Sequence, residues 1–494
     1  MTQDDIIRFL SDPATHGGRT PEIITTHISV VFLAGDRAWK LKKAVRLSFL
    51  DFSTLEARHA ACLSELEVNR AAASDLYLGL VPVTRDAEDR LHLGGSGTVV
   101  DWLVAMNRFD QNDLLSELLR RDRIDRRLIQ QVAEAAFAAH RAAPSRPDKG
   151  GAAGLDWTIA TNAAAMAAQA AILPPAKAAL LTEASRARLH KLTPLLEQRR
   201  AQGKVRRCHG DLHCGNICLY QGKTVPFDAI EFSDDIACID VFYDLAFLLM
   251  DLDQKGARPL ASHAMNHYLD LSGDYQGVIL LPLLLSLRAA IRAHVAAAMG
   301  RGDEANSYLD AARAYLEPPP PRLLAVGGLS GSGKSRMGRE LAPLLAVPGA
   351  AVVRSDALRK QIMGAGLLER LPPQAYDAET GRRTYAALLD TCETLLRAGH
   401  AVVADAVFAK PEQRADIEAV AHRVGVPFDG LWLWTEPDLA ARRIQSRQAN
   451  VSDATTAVLQ SQLSMDLGPM RWTRIHTGGS KQDALDAGRA ALCL

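Results

Sequence analysis

An excess of charge of either sign is the first thing this sequence lacks. Lysine plus arginine and aspartate plus glutamate each total 57, so the formal net charge is zero. No overall field therefore marks the chain for nucleic acid or for an anionic membrane. A basic stripe interleaved with aromatic residues, the mark of a single-strand binder, is missing as well. The opening residues, MTQDDIIRFLSD, hold neither a basic segment nor an apolar one, so a secretory leader is not expected. The strongest apolar run, VILLPLLLSL at 278–287, is too short to span a bilayer and stops at Arg288, which predicts a buried helix. Seven cysteines without paired spacing argue for reduced thiols in a cytoplasm. Internal repeats are absent too.

What is present is an ordinary globular composition, 48% hydrophobic and 23% charged, over 494 residues. That length predicts two or three domains. LEPPPPR at 316–322 is the clearest boundary, because four successive prolines cannot continue a helix and favour a stiff spacer. The expected division is residues 1–316, a linker at 317–322, and residues 323–494. In the first part, HISVVFLAGDRAWKLKKAV at 27–45 reads as two strands joined at a Gly-Asp turn. A helical segment, LEARHAACLSELEVNRAAA, follows, then a strand at 99–106, and 112–200 is mostly helical. Strands first and helices afterwards predict an α+β domain of two lobes, about 1–106 and 107–316. In the second part apolar strands at 323–327, 351–354, 401–404 and 431–434 alternate with helical stretches, which predicts an α/β domain with a parallel sheet.

The densest chemistry lies in CHGDLHCGNICLYQGKTVPFDAIEF, residues 208–232. A zinc site built from Cys208, His209, His213, Cys214 and Cys218 would ignore every acidic residue here, and the one later cysteine nearby, Cys238, has no close companion. Phosphoryl transfer uses the acids. In His209-Gly210-Asp211, with Asn216 five residues beyond the aspartate, a base comes first and a metal ligand second. Residues 217–227 read as a hairpin about a QGK turn, which brings Asn216 beside Asp228 where a Mg²⁺ ion could be held. Asp211, on the same loop, could take the proton from an attacking hydroxyl.

HGDLHCGN, FDAIEF and DVFYDLAFLL together resemble the aminoglycoside phosphotransferase/choline kinase-like family, relatives of the protein kinases, over roughly residues 20–300. Cys214 stands where that family commonly has proline. The resemblance implies a protein-kinase-like fold, with Asp211 as base, Asn216 and Asp228 as metal ligands, and His209 as a structural residue. Asp240 and Asp244 are expected to cap or brace the helix that follows. Such an enzyme needs a cation on the nucleotide phosphates, held by an acid. In AWKLKKAV, Lys40 and Lys42 share one face of a strand. Lys40 is the first choice with Lys42 in reserve, and Glu65 is the expected partner ahead of Glu67. Solvated lysines on an edge strand are the alternative. No G-x-G-x-x-G loop precedes them, and residues near Asn107 would form the hinge that meets adenine.

A second phosphate-handling motif is GLSGSGKS at 328–335, a G-x-x-x-x-G-K-S match between a predicted strand and a predicted helix. Gly328, Gly331, Ser332 and Gly333 would wrap backbone N–H groups around phosphates, Lys334 would reach the β- and γ-phosphates, and Ser335 would hold Mg²⁺. Asp356 and Asp405 end predicted strands, where an open parallel sheet places its site. They are expected as a substrate-side base and an outer-sphere Mg²⁺ ligand. Arg443 and Arg447, four apart on one helix, could fold over the transferring group as a lid. This half resembles gluconate kinase-like and polynucleotide 5′-kinase-like proteins of the P-loop superfamily over about 320–475.

The expectation is a two-module, ATP- and Mg²⁺-dependent phosphotransferase acting on a hydroxyl of a small molecule, with neither nucleic acid nor membrane as partner. Residues 151–200 hold more basic than acidic groups, which argues against a polycationic acceptor. A nucleic-acid 5′-hydroxyl kinase and a regulatory ATP-binding protein with one inactive module are the alternatives. Sequence leaves the acceptor and the oligomeric state open.

Overall fold

A computed structural model describes residues 2–47, 50–446 and 451–494. Its chain divides into two compact units, Met1–Trp157 with Lys191–Leu248, and Thr158–His190 with Leu249–Leu494.

The first unit is built on a six-stranded antiparallel sheet, ordered Glu22–Thr25, Ser29–Ala34, Arg37–Lys42, Thr98–Asn107, Tyr77–Arg85, Leu91–Leu93. The expected Gly-Asp turn joins Ser29–Ala34 to Arg37–Lys42, with Gly35 at φ +61° and Val31 opposite Lys40. Tyr77–Arg85 escapes sequence reading because it contains Pro82, which ordinarily argues against an inner strand. The long helix Leu55–Ala73 starts on Thr54, whose hydroxyl accepts from the Ala57 N–H at 3.1 Å. Its Cys62 and Leu66 enter one apolar cluster with Leu33 and Val104 of the sheet and with Cys218 and Val225. Those last two lie on the hairpin Ile217–Tyr220/Lys223–Pro226. One core thus fixes sheet, helix and hairpin together, and the site residues stand on all three.

The second unit carries a five-stranded sheet, all parallel, ordered Ala351–Arg354, Val402–Asp405, Leu323–Gly328, Phe428–Trp434, Thr473–His476. The central strand, Leu323–Gly328, is buried along its whole length, as the crossover pattern requires. The helices Leu281–Ala298 and Gly302–Leu316 belong to this unit and pack on each other. Among the described residues one helical stretch, Tyr275–Ala298, is long and apolar enough to cross a membrane, and 72% of its most apolar window is buried in the protein. It includes the predicted buried run.

These units cross the proline run instead of dividing at it. The physical reason is local: helix Arg258–Ser272, which precedes the prolines, packs on helix Lys334–Leu345 and on strand Ala351–Arg354, which follow them.

Candidate active sites

The strand Arg37–Lys42 is an inner strand, so the alternative of solvated edge lysines fails: Lys40 is 8% exposed and Lys42 is fully buried. Lys40 Nζ lies 2.8 Å from Glu65 Oε1 and also bonds Asp228 Oδ1. Lys42 bridges the other oxygen of Glu65 to Glu231. Burial alone would pull Lys40 down, but Asp228 and Glu65 outweigh it and hold the ammonium well above the ordinary lysine value. Glu65 is fully buried as well, yet Lys40 and Lys42 keep it below the ordinary glutamate value. Glu231 goes the other way, pushed up by burial and by Glu65 against the pull of Lys42. Three acids face two lysines, and Glu231 is the acid whose carboxyl is pushed up. Sequence reading put Lys42 in reserve and overlooked Glu231, although its place three residues after Asp228 is a usable signal.

The loop Cys208–Asn216 is held by its own side chains. His209 Nε2 donates to the Phe227 carbonyl at 2.8 Å, which leaves Nδ1 to accept from the Asp211 N–H at 3.3 Å. The histidine thereby ties the loop to the hairpin's end, the structural role expected of it. Asn216 donates through Nδ2 to both the carbonyl and the Oδ2 of Asp211, at 3.0 Å each, which turns its Oδ1 away from that carboxylate. The Phe227 N–H donates to the Asn216 carbonyl at 2.9 Å, so Asp228 follows directly on a residue bonded to Asn216. Asp228 has a left-handed φ of +62°, steadied by its N–H on the Tyr77 hydroxyl at 3.1 Å. The hairpin thus brings the backbone of Asn216 next to that of Phe227, one residue before Asp228, and an amide oxygen and a carboxylate are both hard donors of the kind Mg²⁺ takes. The Asp211 side chain is 37% exposed, with His213 Nε2 at 3.5 Å.

The cysteines and histidines considered for zinc do not assemble. Among the described residues no disulfide joins the cysteines, and Cys218 lies in the apolar core. Among the described residues, the group compact enough for a metal is His140, Cys208 and Asp244. There Asp244 already accepts from the Gly210 N–H at 2.8 Å, the His209 N–H at 3.1 Å and His140 at 3.0 Å. The expectation for Asp244 is thus corrected: it braces the loop that carries Asp211. Asp240 does cap its helix, through the Phe242 N–H at 2.9 Å, and forms a two-point ion pair with buried Arg199. Asn107 ends its strand with its side chain between Arg37 and the Asp75 carbonyl.

In the second unit the phosphate-type loop runs from the end of strand Leu323–Gly328 to helix Lys334–Leu345. Gly328, Gly331 and Gly333 have φ of +140°, +85° and +92°, values that β-carbons resist. A Cβ on Gly331 would also stand 2.6 Å from the Ala440 carbonyl. Lys334 reaches back across the loop to the Leu329 carbonyl at 3.0 Å. The Ser332 hydroxyl is buried with no hydrogen-bond partner among the described residues, and Ser335 opens the helix one residue after Lys334. A cradle this tight, closed by a lysine and followed by a serine, fits a nucleotide's phosphates.

Because the strands are parallel, their carboxyl ends share one edge with this loop. Arg354 pairs with Asp405 in the register of two neighbouring strands, and Asp356 stands in the first turn of helix Ser355–Ile362. Arg354 Nε lies 3.4 Å from Asp405 Oδ2. Sequence reading passed over this buried arginine, although VVRSD sets it two residues before Asp356. Arg443 is not a free lid arm in this structure. Its guanidinium bonds the Thr477 carbonyl at 2.6 Å and comes within 3.5 Å of the Gly331 carbonyl, so it props the phosphate loop from beneath. Arg447, its expected companion, lies outside the described residues.

The comparisons agree with this two-part picture. The model of the phosphotransferase enzyme family matches residues 35–281, and that of an AAA domain matches 323–465. Proteins of Mycobacterium tuberculosis (strain H37Rv) and Mycobacterium bovis, both called uncharacterized, are 28% identical over 488 residues, covering 93% of either chain. A choline/ethanolamine kinase family protein from Mesorhizobium loti aligns at 13% identity with a TM-score of 0.38, over 64% of this chain and 95% of its own. A gluconokinase from Sinorhizobium meliloti aligns at 21% identity with a TM-score of 0.26, over 35% of this chain and 92% of its own. The first match spans half of the chain, and so the chain belongs to the phosphotransferase enzyme family, with a P-loop kinase-like AAA domain following in the same polypeptide.

Proposed function

We propose that this phosphotransferase carries two functional modules, residues 1–316 and 323–494 joined by 317–322, and that each moves the γ-phosphoryl of ATP to a hydroxyl of a small molecule. One observation carries the reading: Lys40 joins Glu65 to Asp228, so three segments far apart in sequence meet at one point. MgATP, when bound, would supply the phosphoryl group and a divalent charge to offset that of the phosphates. Lys40, braced by Glu65, would meet the phosphates, and Asn216 and Asp228 are the residues that would hold the cation. Asp211, held by Asn216 and reachable from solvent, accepts the proton of the acceptor hydroxyl on its carboxylate.

In the second module the backbone of Gly328, Gly331, Ser332 and Gly333 would receive the phosphates, with Lys334 charging the loop, Ser335 holding Mg²⁺ and Asp405 serving it as an outer-sphere ligand. Asp356 is the base for the acceptor. Arg443 stabilises the loop, and Arg447 remains the proposed lid arm. The acceptor is small and neutral or anionic, as the basic balance of 151–200 suggests. Six buried cysteines outside any disulfide support a cytoplasmic setting.

The experiment is ADP release by the purified chain, screened with sugars, polyols and nucleosides, for wild type, Asp211→Ala and Lys334→Ala. Each substitution is expected to remove a different part of the stimulated turnover. Unchanged turnover in both would refute both assignments.

A further inference from the structure

Asp270 lies on helix Arg258–Ser272, inside the stretch matched by the phosphotransferase model and outside the AAA match. It is nevertheless part of the second unit, and it is buried beneath the phosphate-loop sheet. Its Oδ2 bonds Arg354 Nη1 at 2.8 Å and also bonds Arg339, which stands on the helix that follows the phosphate loop. Arg354 is the arginine whose Nε lies 3.4 Å from Asp405. A buried chain of charges thus runs from Asp270 through Arg354 to Asp405.

The helix that brings Asp270 is built into the sheet. Strand Ala351–Arg354 is the outermost of five, and an outermost strand presents unpaired backbone groups. Asn266, one turn before Asp270, satisfies two of them: its Oδ1 accepts from the Val352 N–H at 2.7 Å and its Nδ2 donates to the Ala350 carbonyl at 3.1 Å. Gly349 lets the backbone approach, since a Cβ there would lie 2.1 Å from the Ser262 hydroxyl. Gln361 closes the far end by donating to the Asp270 carbonyl at 3.3 Å. These contacts fix Asp270 in place.

We infer that Asp270 is a positioning residue for the cation site of the P-loop module: it holds the Arg354 guanidinium back, so that Asp405 keeps its carboxylate available to a divalent cation. This rests on the reading of Asp405 as a Mg²⁺ ligand. The 2.8 Å bond to Asp270 is the close one and the 3.4 Å approach to Asp405 the loose one. With the charge of Asp270 removed, Asp405 at 3.4 Å is the acid that Arg354 bonds, with Asp356 adding to the acidic surroundings, and Arg354 competes with the cation for Asp405. Residues assigned to the first module by family would then set the metal requirement of the second.

The test uses the full chain carrying Asp228→Asn, so that the first site is silenced, and follows binding of a fluorescent non-hydrolysable ATP analogue as Mg²⁺ is titrated. Asp270→Asn, which preserves shape, is expected to raise the Mg²⁺ concentration for half-maximal binding about tenfold. Adding Arg354→Gln should return it to the starting value or below, a rescue that a merely structural role would not produce. Asp405→Asn is the control. If it leaves the Mg²⁺ requirement unchanged, the reading of the cation site is wrong and the inference falls with it. If Asp405→Asn shifts the requirement and Asp270→Asn does not, the inference alone is overturned. Should Asp270→Asn fail to fold, Arg354→Gln by itself decides: a lowered requirement supports the inference and an unchanged one refutes it.

Discussion

The two sites of this chain are made in opposite ways. The first is a convergence of side chains: Lys40 from a strand, Glu65 from a helix, and Asp211, Asn216 and Asp228 from a loop and hairpin, locked by buried ion pairs. The second is mostly a shape of contiguous backbone, Gly328 to Ser335, whose left-handed glycines make room for it. A convergent site depends on every partner and on the core beneath it. A contiguous one depends on local conformation and on what props it.

The largest expected effect sharpens this contrast at the first site. Asp211→Asn should lower acceptor-dependent turnover there by about a hundredfold to ten-thousandfold. Nucleotide affinity should change little, because the role proposed for Asp211 is to take a proton and not to hold a phosphate; pre-steady-state phosphoryl transfer and analogue binding check both. At the second site Lys334→Ala should lower turnover by about a hundredfold to a thousandfold and weaken nucleotide binding with it.

Stability should divide the same way. Glu65→Gln removes the acid that the two lysines share, leaving Lys40 to Asp228 and Lys42 to Glu231, and should destabilise the first unit by about 3–5 kcal/mol in denaturant unfolding. The pH dependence has a definite sign. Glu65 is depressed on folding, from 4.5 to about 2, so its contribution is present above 4.5 and is lost as pH falls toward about 2. The gap between wild type and Glu65→Gln should therefore close in acid and not in base. Gly331→Ala, with φ of +85° and the Ala440 carbonyl in the way, should cost the second unit about 1–3 kcal/mol, read as a lowered Tm. Glu231→Gln is the smallest effect, within about 1 kcal/mol of wild type, because it removes the acid in excess. A loss as large as that of Glu65→Gln would break the account of the buried network.

The same contrast explains what could be read in advance. The phosphate loop was legible because its chemistry is local: glycine spacing, a lysine, and flanking strand and helix patterns suffice. The hairpin after the His209–Asn216 loop was legible for the same reason, since its turn residues and flanking strands are contiguous. The choice between Lys40 and Lys42 was not, since both lie on one face of a strand whose inner place in the sheet is decided by its pairing with the distant strand Thr98–Asn107. Nor could Asp244 be told from an ordinary helix brace, because its partners at His140 and Gly210 are distant in sequence. Asp270 shows the limit most clearly. An aspartate on an amphipathic helix gives no local sign that it meets Arg339 and Arg354, 69 and 84 residues later.

Equilibrium binding stoichiometry tests the central claim most directly. Calorimetric titration of the full chain with a non-hydrolysable ATP analogue and Mg²⁺ should give two nucleotides per chain in wild type. Asp228→Asn should leave the one bound at the phosphate loop, and Lys334→Ala the one held by Lys40 and Asp228. A wild-type chain that binds one nucleotide or none, or a single substitution that abolishes both, would contradict the account.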